Sequence, residues 1–197
     1  MTLRLNQNLS DLKALTNAAV LVPLVIDRGE VSLLFTKRTE EVRHHKGQIC
    51  FPGGVHDDGD QTLWHTALRE TEEEIGIDKS NITCLAQLPG IVTPTGFQVT
   101  PFTGFISSLS GLSPNAAEIT TVFSVPFKHL QNPQNIRFET QEFFGVPYNM
   151  PFFTFGEHVI WGATGRMILS LLKRCHDRQF REQILRELPD GLVTSLV

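Results

Sequence analysis

The stretch "LRETEEEIG", Leu68 to Gly76, places Glu70, Glu72, Glu73 and Glu74 within five residues of a chain in which only 19% of residues are charged. From Thr62 to Ile75 there is neither glycine nor proline. Thr62 can therefore cap a helix and Gly76 can stop it. At ~100° per residue, Trp64, Leu68, Thr71 and Ile75 share one side, Glu70, Glu73 and Glu74 share a neighbouring side, and Glu72 points away. Carboxylates at i, i+3 and i+4 repel by ~0.2–0.5 kcal/mol per close pair. They also sit toward the helix C-terminus, the wrong end of the dipole for anions. Two explanations offset this cost. One is a solvated acidic face with Arg69 and Lys79 nearby. The other is a hard divalent cation, Mg²⁺ or Mn²⁺, which takes oxygen ligands and keeps positions open for water and substrate phosphate. The helix alone leaves both open.

The preceding loop narrows the choice. In "FPGGVHDDGDQ", Gly53 and Gly54 permit tight turns and close approach to an anion. Together, the glycines, the acidic loop and the Arg-Glu-x-x-Glu-Glu helix resemble the Nudix box, GX5EX7REUXEEXGU with U aliphatic. Asp60 stands at the first glutamate, Arg69 and Glu70 form the RE pair, and Glu73, Glu74 and Gly76 complete the pattern. There are departures: Asp60 replaces Glu, eight residues rather than seven separate it from Arg69, and Thr71 occupies an aliphatic position. The extra residue puts a direct role for Asp60 in doubt. Upstream, "LLFTKRTEEVRHHKGQICFPGG" resembles the segment typical of Nudix coenzyme A pyrophosphatases, LLTxR[SA]x3Rx3Gx3FPGG. Leu33, Leu34, Arg38, Arg43, Gly47, Phe51, Pro52, Gly53 and Gly54 match, Phe35 is inserted, and Thr39 replaces Ser or Ala.

The resemblance implies an α/β Nudix sandwich with a central mixed sheet and a catalytic loop-helix-loop. It also implies cleavage of coenzyme A, or a derivative, to 3′,5′-ADP and 4′-phosphopantetheine with Mg²⁺ or Mn²⁺. By motif position, Glu70, Glu73 and Glu74 are the expected metal ligands. Arg69 is expected to brace the acidic loop or helix, since it flanks the carboxylate face. Glu118, in "AAEITTVF", matches a loop position where related enzymes place another carboxylate; it is a candidate ligand or general base, or an exposed acid before a strand. Arg38 and Arg43 are candidate phosphate clamps, because guanidinium grips phosphate bidentately, or else partners of Glu40, Glu41 or a loop aspartate. Gly53 and Gly54 complete the candidate substrate-binding set. His44 and His45 read as a solvated turn. Core packing is the expectation for Trp161 and for the phenylalanines around Phe152 to Phe155. Another nucleoside diphosphate substrate, such as ADP-ribose or a nucleotide sugar, and a nucleotide-sensing module without turnover remain the alternatives.

These residues require a scaffold, and 197 residues are enough for a single domain with a sizeable core. A net charge of -4 gives no general reason to expect nucleic-acid or anionic-membrane binding. Cys50, Cys84 and Cys175 are odd in number and far apart, arguing against a disulfide framework. The run "AAVLVPLVI" is too short for a membrane helix and reads as a buried strand. With no signal-like start and no peroxisomal tripeptide at Ser195-Leu196-Val197, the cytoplasm is the expected compartment. The expected partner is a small molecule, with a homodimer admitted.

A short helical arm is expected at about residues 1–18, with its helix over Ser10–Asn17. A hairpin follows, Val20–Ile26 and Val31–Lys37, turning at "DRGE". Extended structure is expected from Ile82 to Ile106, broken at "TPTG". A strand then ends near Pro126 before a short helix, aromatic-rich strands cover Ile136 to Phe155, and a helix runs from His158 to Arg174.

Overall fold

In the structure, a computed structural model, residues 15–40, 47–143 and 145–187 are described. The strand β1 (Thr16–Asp27) turns through Arg28 and Gly29, both at positive φ (50° and 80°), into β2 (Glu30–Arg38). Positive φ at both positions suits the tight, right-twisted hairpin expected from "DRGE". Short β3 (Ile49–Cys50) and β4 (Gly53–Val55) lead to α1 (Leu63–Ile75). Then come β5 (Ile82–Gln87), β6 (Ile91–Val92), β7 (Phe97–Ile106) and β8 (Ile119–Pro126). These eight strands form one mixed sheet, in which β1 runs parallel to β7 and antiparallel to β2 and β4.

Pro23 sits inside central β1 without breaking it. Leu21 N–H donates to Pro52 O at 2.9 Å, so the nitrogen two residues on faces the same side. On that side β1 pairs β4 at Ala18–Val20 and β2 from Leu24 onward, which leaves Pro23 in the gap between partners. A missing N–H there costs no ladder bond.

Period-two alternation along β1 builds a core on each face of the sheet. Ala19, Leu21 and Val25 join Ala67, Leu68 and Ile75 of α1 on one face. Ala18, Val22 and Leu24 face Met167, Ile168, Leu171, Phe180 and Ile184 on the other. The latter belong to α3 (Gly162–Arg174) and α4 (Arg178–Glu187). The architecture is thus the α/β sandwich with a central mixed sheet that the resemblance implies. Before α3, the short α2 (Phe127–Gln131) leads to an antiparallel three-stranded sheet, β9 (Ile136–Phe143), β10 (Val146–Phe155) and β11 (His158–Ile160).

Two expectations are corrected and one helix is added. The helix expected from His158 starts at Gly162, because His158, Val159 and Ile160 pair with Phe155, Thr154 and Phe153, and Gly162 adopts φ 67°. The N-terminal helix cannot reach Asn17, nor the arm residue 18, since Thr16 already donates its N–H to Gly96 O in β1; residues 1–14 lie outside those described. Helix α4 was not anticipated: among its described side chains it buries Phe180 and Ile184, one i, i+4 pair in a largely charged segment. Among the described residues no helix is long and apolar enough to cross a membrane.

Candidate active site

Helix α1 begins and ends where its punctuation dictates. Thr62 Oγ1 accepts the His65 N–H at 3.3 Å, and Gly76, at φ 72°, donates its N–H to Glu72 O. The side expected to pack does so, with Leu68, Thr71 and Ile75 buried. Buried Thr71 satisfies its hydroxyl by donating to Ala67 O at 2.6 Å, which is how a polar residue fills an aliphatic position of the motif.

The neighbouring carboxylates are not equivalent. Glu74 is 4% exposed and Glu70 19%, whereas Glu73 is 58% exposed. Glu74 is covered by the strands that precede α1. Its Oε1 accepts from Arg38 Nη1 at 3.1 Å and its Oε2 from the Gly53 N–H at 3.3 Å. Burial pushes its carboxyl up to about 7 against the pull of Arg38 and Gly53, with Glu70 and Glu118 raising it further. Burial also raises Glu70, opposed by Arg69.

Arg69 organises the opposite flank. Its Nε and Nη2 donate to the two oxygens of Asp60 at 3.0 Å each, and Nη1 donates to Glu70 at 2.8 Å and Glu73 at 3.1 Å. Nη2 also reaches Val55 O at 3.1 Å. These bonds hold the Asp60 carboxyl well below the usual carboxylate range and raise the Arg69 guanidinium. Asp60 thus reaches the motif helix through Arg69, with the extra loop residue accommodated around it.

Glu118 arrives from the loop that closes the end of α1. Ser113 N–H and Asn115 N–H donate to Ile75 O and Glu74 O, carbonyls the helix leaves unsatisfied, and Asn115 O accepts from Glu118 and Ile119. The Glu118 carboxylate, 44% exposed, then stands 3.5 Å from Arg38 Nη2. Arg38 therefore bridges Glu74 and Glu118 rather than pairing with Glu40, while its buried Nε has no partner. Nothing in the sequence signals that pairing, which spans 36 residues.

The glycines are needed for two different reasons. A Cβ on Gly53, at φ 154°, would overlap the β1 backbone at Ala19 O and Val20 Cα, whereas one on Gly54 would overlap the Glu70 carboxylate. Arg43, His44 and His45 lie outside the described residues. Trp161, expected in the core, is 45% exposed. A depression of about 360 Å³ on another flank of α1 is lined by residues including Asp60, His65, Arg69 and Lys79, but by none of Glu70, Glu73, Glu74 or Glu118. Volume therefore does not locate this chemistry.

Residues 15–158 match the NUDIX domain. The chain belongs to the Nudix family. It is 34% identical over 158 residues to the uncharacterized Nudix hydrolase NudL of Photorhabdus laumondii, covering 80% of this chain and 84% of that protein. It is 38% identical over 152 residues to the human mitochondrial coenzyme A diphosphatase NUDT8, covering 75% of this chain and 64% of NUDT8. The fold matches the crystal structure of a MutT/nudix family protein from Enterococcus faecalis with a TM-score of 0.58 at 16% identity, over 91% of this chain and 70% of that one.

Nudix hydrolases generally use divalent metals such as Mg²⁺ or Mn²⁺. The donors fit such an ion: all are carboxylate oxygens, and among the described residues Glu70, Glu73, Glu74 and Glu118 are shared between Arg38 and Arg69, while Asp60 pairs with Arg69 and lies 3.8 Å from His56 Nδ1. Among the described residues no three His, Cys, Asp or Glu side chains stand together closely enough to hold an ion, and Glu70, Glu73 and Glu74 are bonded to the two arginines instead.

Proposed function

We propose that this Nudix hydrolase cleaves the diphosphate of coenzyme A or a derivative, giving 3′,5′-ADP and 4′-phosphopantetheine or its acyl form. The observation that carries the reading is the position of the coenzyme A-type segment: Arg38 bonds Glu74 and Glu118, Gly53 bonds Glu74, and Gly54 abuts Glu70. The similarity to NUDT8, whose name records coenzyme A diphosphatase activity, points the same way.

In this reading Glu70, Glu73 and Glu74 would hold Mg²⁺ or Mn²⁺. The ions would neutralise diphosphate oxygens and acidify bound water. Gly54 keeps the approach to Glu70 free of side-chain bulk, and Gly53 lays its N–H on Glu74. Glu118 accepts the proton of the attacking water as its oxygen bonds to phosphorus; the bond from phosphorus to the bridging oxygen breaks, and both products leave as phosphates. Arg69 keeps Glu70 and Glu73 on the site through its anchor on Asp60. Arg38 orients Glu74 and Glu118 and supplies positive charge for a substrate phosphate.

A product assay across coenzyme A, acyl-coenzyme A, 3′-dephospho-coenzyme A, ADP-ribose and dinucleotides, with Mg²⁺ or Mn²⁺, tests the reading. Coenzyme A or an acyl form should give the highest kcat/KM, with loss of the 3′-phosphate costing about tenfold. Preferential turnover of ADP-ribose over every coenzyme A form would overturn the substrate assignment and spare the Nudix chemistry.

A further inference from the structure

Trp161 lies at the end of a cross-strand row. In the register of the three-stranded sheet, Phe152 pairs with Arg137 on β9, and Phe153 pairs with Ile160 on β11. Trp161, one residue beyond Ile160, therefore comes level with Phe152 on the side opposite Arg137. The side chains stack accordingly: the Phe152 and Trp161 rings are parallel within 7° at 5.7 Å, and the Arg137 guanidinium carbon lies 4.5 Å from the Phe152 centroid. Phe152 is buried between them at 8% exposure, whereas Trp161 is 45% exposed. One face of the indole is thus fixed by a ring stack while much of its remaining surface is open.

The chain ties that indole to the strand that leads into the candidate active site. Trp161 is the residue preceding α3, and Thr164 in the first turn donates its hydroxyl to Ile49 O at 3.2 Å. Ile49 belongs to β3, against which β11 packs. Four residues further along the chain is Gly53, at most about 14 Å of extended backbone away. Coenzyme A, ADP-ribose and nucleotide sugars all carry a nucleoside on one side of the scissile bond, so each needs a surface for its base next to the diphosphate site, and the β3 connection makes Trp161 the candidate for it.

We infer that Trp161, backed by Phe152 and Arg137, is a stacking platform for the adenine base of the nucleotide substrate. This rests on the proposed nucleoside diphosphate chemistry of the site, though not on coenzyme A in particular. A flat ring gains most from a flat, rigid and partly solvated partner, and stacking accepts the base without reading its edges. Trp161 is thereby assigned binding rather than chemistry: the platform is to hold ground state and transition state alike, so its loss falls on KM and leaves kcat.

Trp64 is the only other tryptophan, so Trp64→Phe makes Trp161 the sole indole reporter. Trp64 packs edge-on against Phe102 at 5.5 Å, a contact a phenyl ring can retain. This variant is titrated with ADP and Mg²⁺, and in parallel with ribose 5-phosphate plus pyrophosphate and Mg²⁺, which supply the sugar and phosphates without the base. The expected result is saturable quenching of Trp161 by ADP and none by the base-free pair. In turnover, Trp161→Ala should raise KM about tenfold at unchanged kcat for whichever adenine compound is cleaved, and Trp161→Phe should restore most of the loss. Equal responses to the two probes, or no response at ADP concentrations that inhibit turnover, would overturn the platform. So would an unchanged KM in a folded Trp161→Ala protein. If ADP-ribose replaces coenzyme A as substrate while ADP still quenches Trp161, the substrate assignment fails and the platform stands.

Discussion

Two guanidinium groups serve the acidic face of α1, and they leave the carboxylates they touch in opposite conditions. Arg69 meets Asp60 with two parallel hydrogen bonds, and the Asp60 carboxyl is held well below its usual range. Arg38 meets Glu74 with one bond and divides itself with Glu118, and the buried Glu74 carboxyl rises to about 7. On the Asp60 side bidentate bonding outweighs desolvation; on the Glu74 side desolvation and two neighbouring carboxylates outweigh bonding. A satisfied ion pair is a brace. A buried carboxylate with insufficient positive charge is a site that gains when a cation arrives.

The sharpest way to break this contrast is substitution at the carboxylates themselves. Glu73→Gln and Glu74→Gln should each keep the fold and lose roughly a thousandfold in kcat at limiting metal, because each removes a charged member of the proposed ligand set. Near-normal turnover in both would remove the ligand assignment. Glu118→Gln should cost about 10²–10⁴-fold and alter the pH–rate profile if Glu118 is the general base. An unchanged rate and profile would leave Glu118 a surface acid.

The adjacent glycines give a second contrast. A methyl on Gly53 meets backbone, which cannot give way, so Gly53→Ala should destabilise by about 3 kcal/mol in thermal unfolding. A methyl on Gly54 meets the end of a side chain, so Gly54→Ala should unfold within a few degrees of wild type yet lose activity through displaced Glu70. Equal unfolding losses in the two variants would contradict these different contacts.

The pH dependence of stability separates the two arginine partners by sign. A raised carboxyl binds its proton more tightly in the folded state, so Glu74 detracts from stability as pH rises from about 4.5 toward 7. With a chelator present, Glu74→Gln should therefore remove about 1–3 kcal/mol of that decline. Asp60 has the opposite sign: its contribution is present above about pH 4 and is lost as pH falls through the depressed value. Asp60→Asn should cost about 1–3 kcal/mol at neutral pH, with the difference from wild type shrinking in acid. The smallest effect belongs to Glu72, which is exposed and points away from the set; Glu72→Gln should leave rate and stability nearly unchanged.

How much of this was legible in the sequence varies with the distance over which each feature is determined. The bounds of α1 follow from Thr62, Gly76 and the absence of breakers between them, and its packed side follows from helical periodicity. The three-glutamate face was legible as a direction, but not as an inequality, since what covers Glu74 comes from β2 and the Gly53 loop. Motif counting left Asp60 in doubt because one extra residue intervenes; folding the loop brings it to Arg69 regardless. Trp161 was misassigned because an aromatic beside apolar residues reads as core, while its register at a sheet edge leaves it half exposed. His158–Ile160 was drawn into a helix by the periodic run after it, whereas pairing with β10 decides its conformation.

The central claim, that the Glu74 side of α1 takes a cation while the Asp60 side braces it, is tested most directly by Mn²⁺ binding. The free-ion signal in electron paramagnetic resonance can be followed for wild type, Glu74→Gln and Asp60→Asn, each corrected for folded fraction. Affinity should fall roughly a hundredfold in Glu74→Gln and only several-fold in Asp60→Asn, whose effect reaches the proposed ligands through Arg69. Unchanged Mn²⁺ affinity in Glu74→Gln, or a larger loss in Asp60→Asn, would contradict that claim.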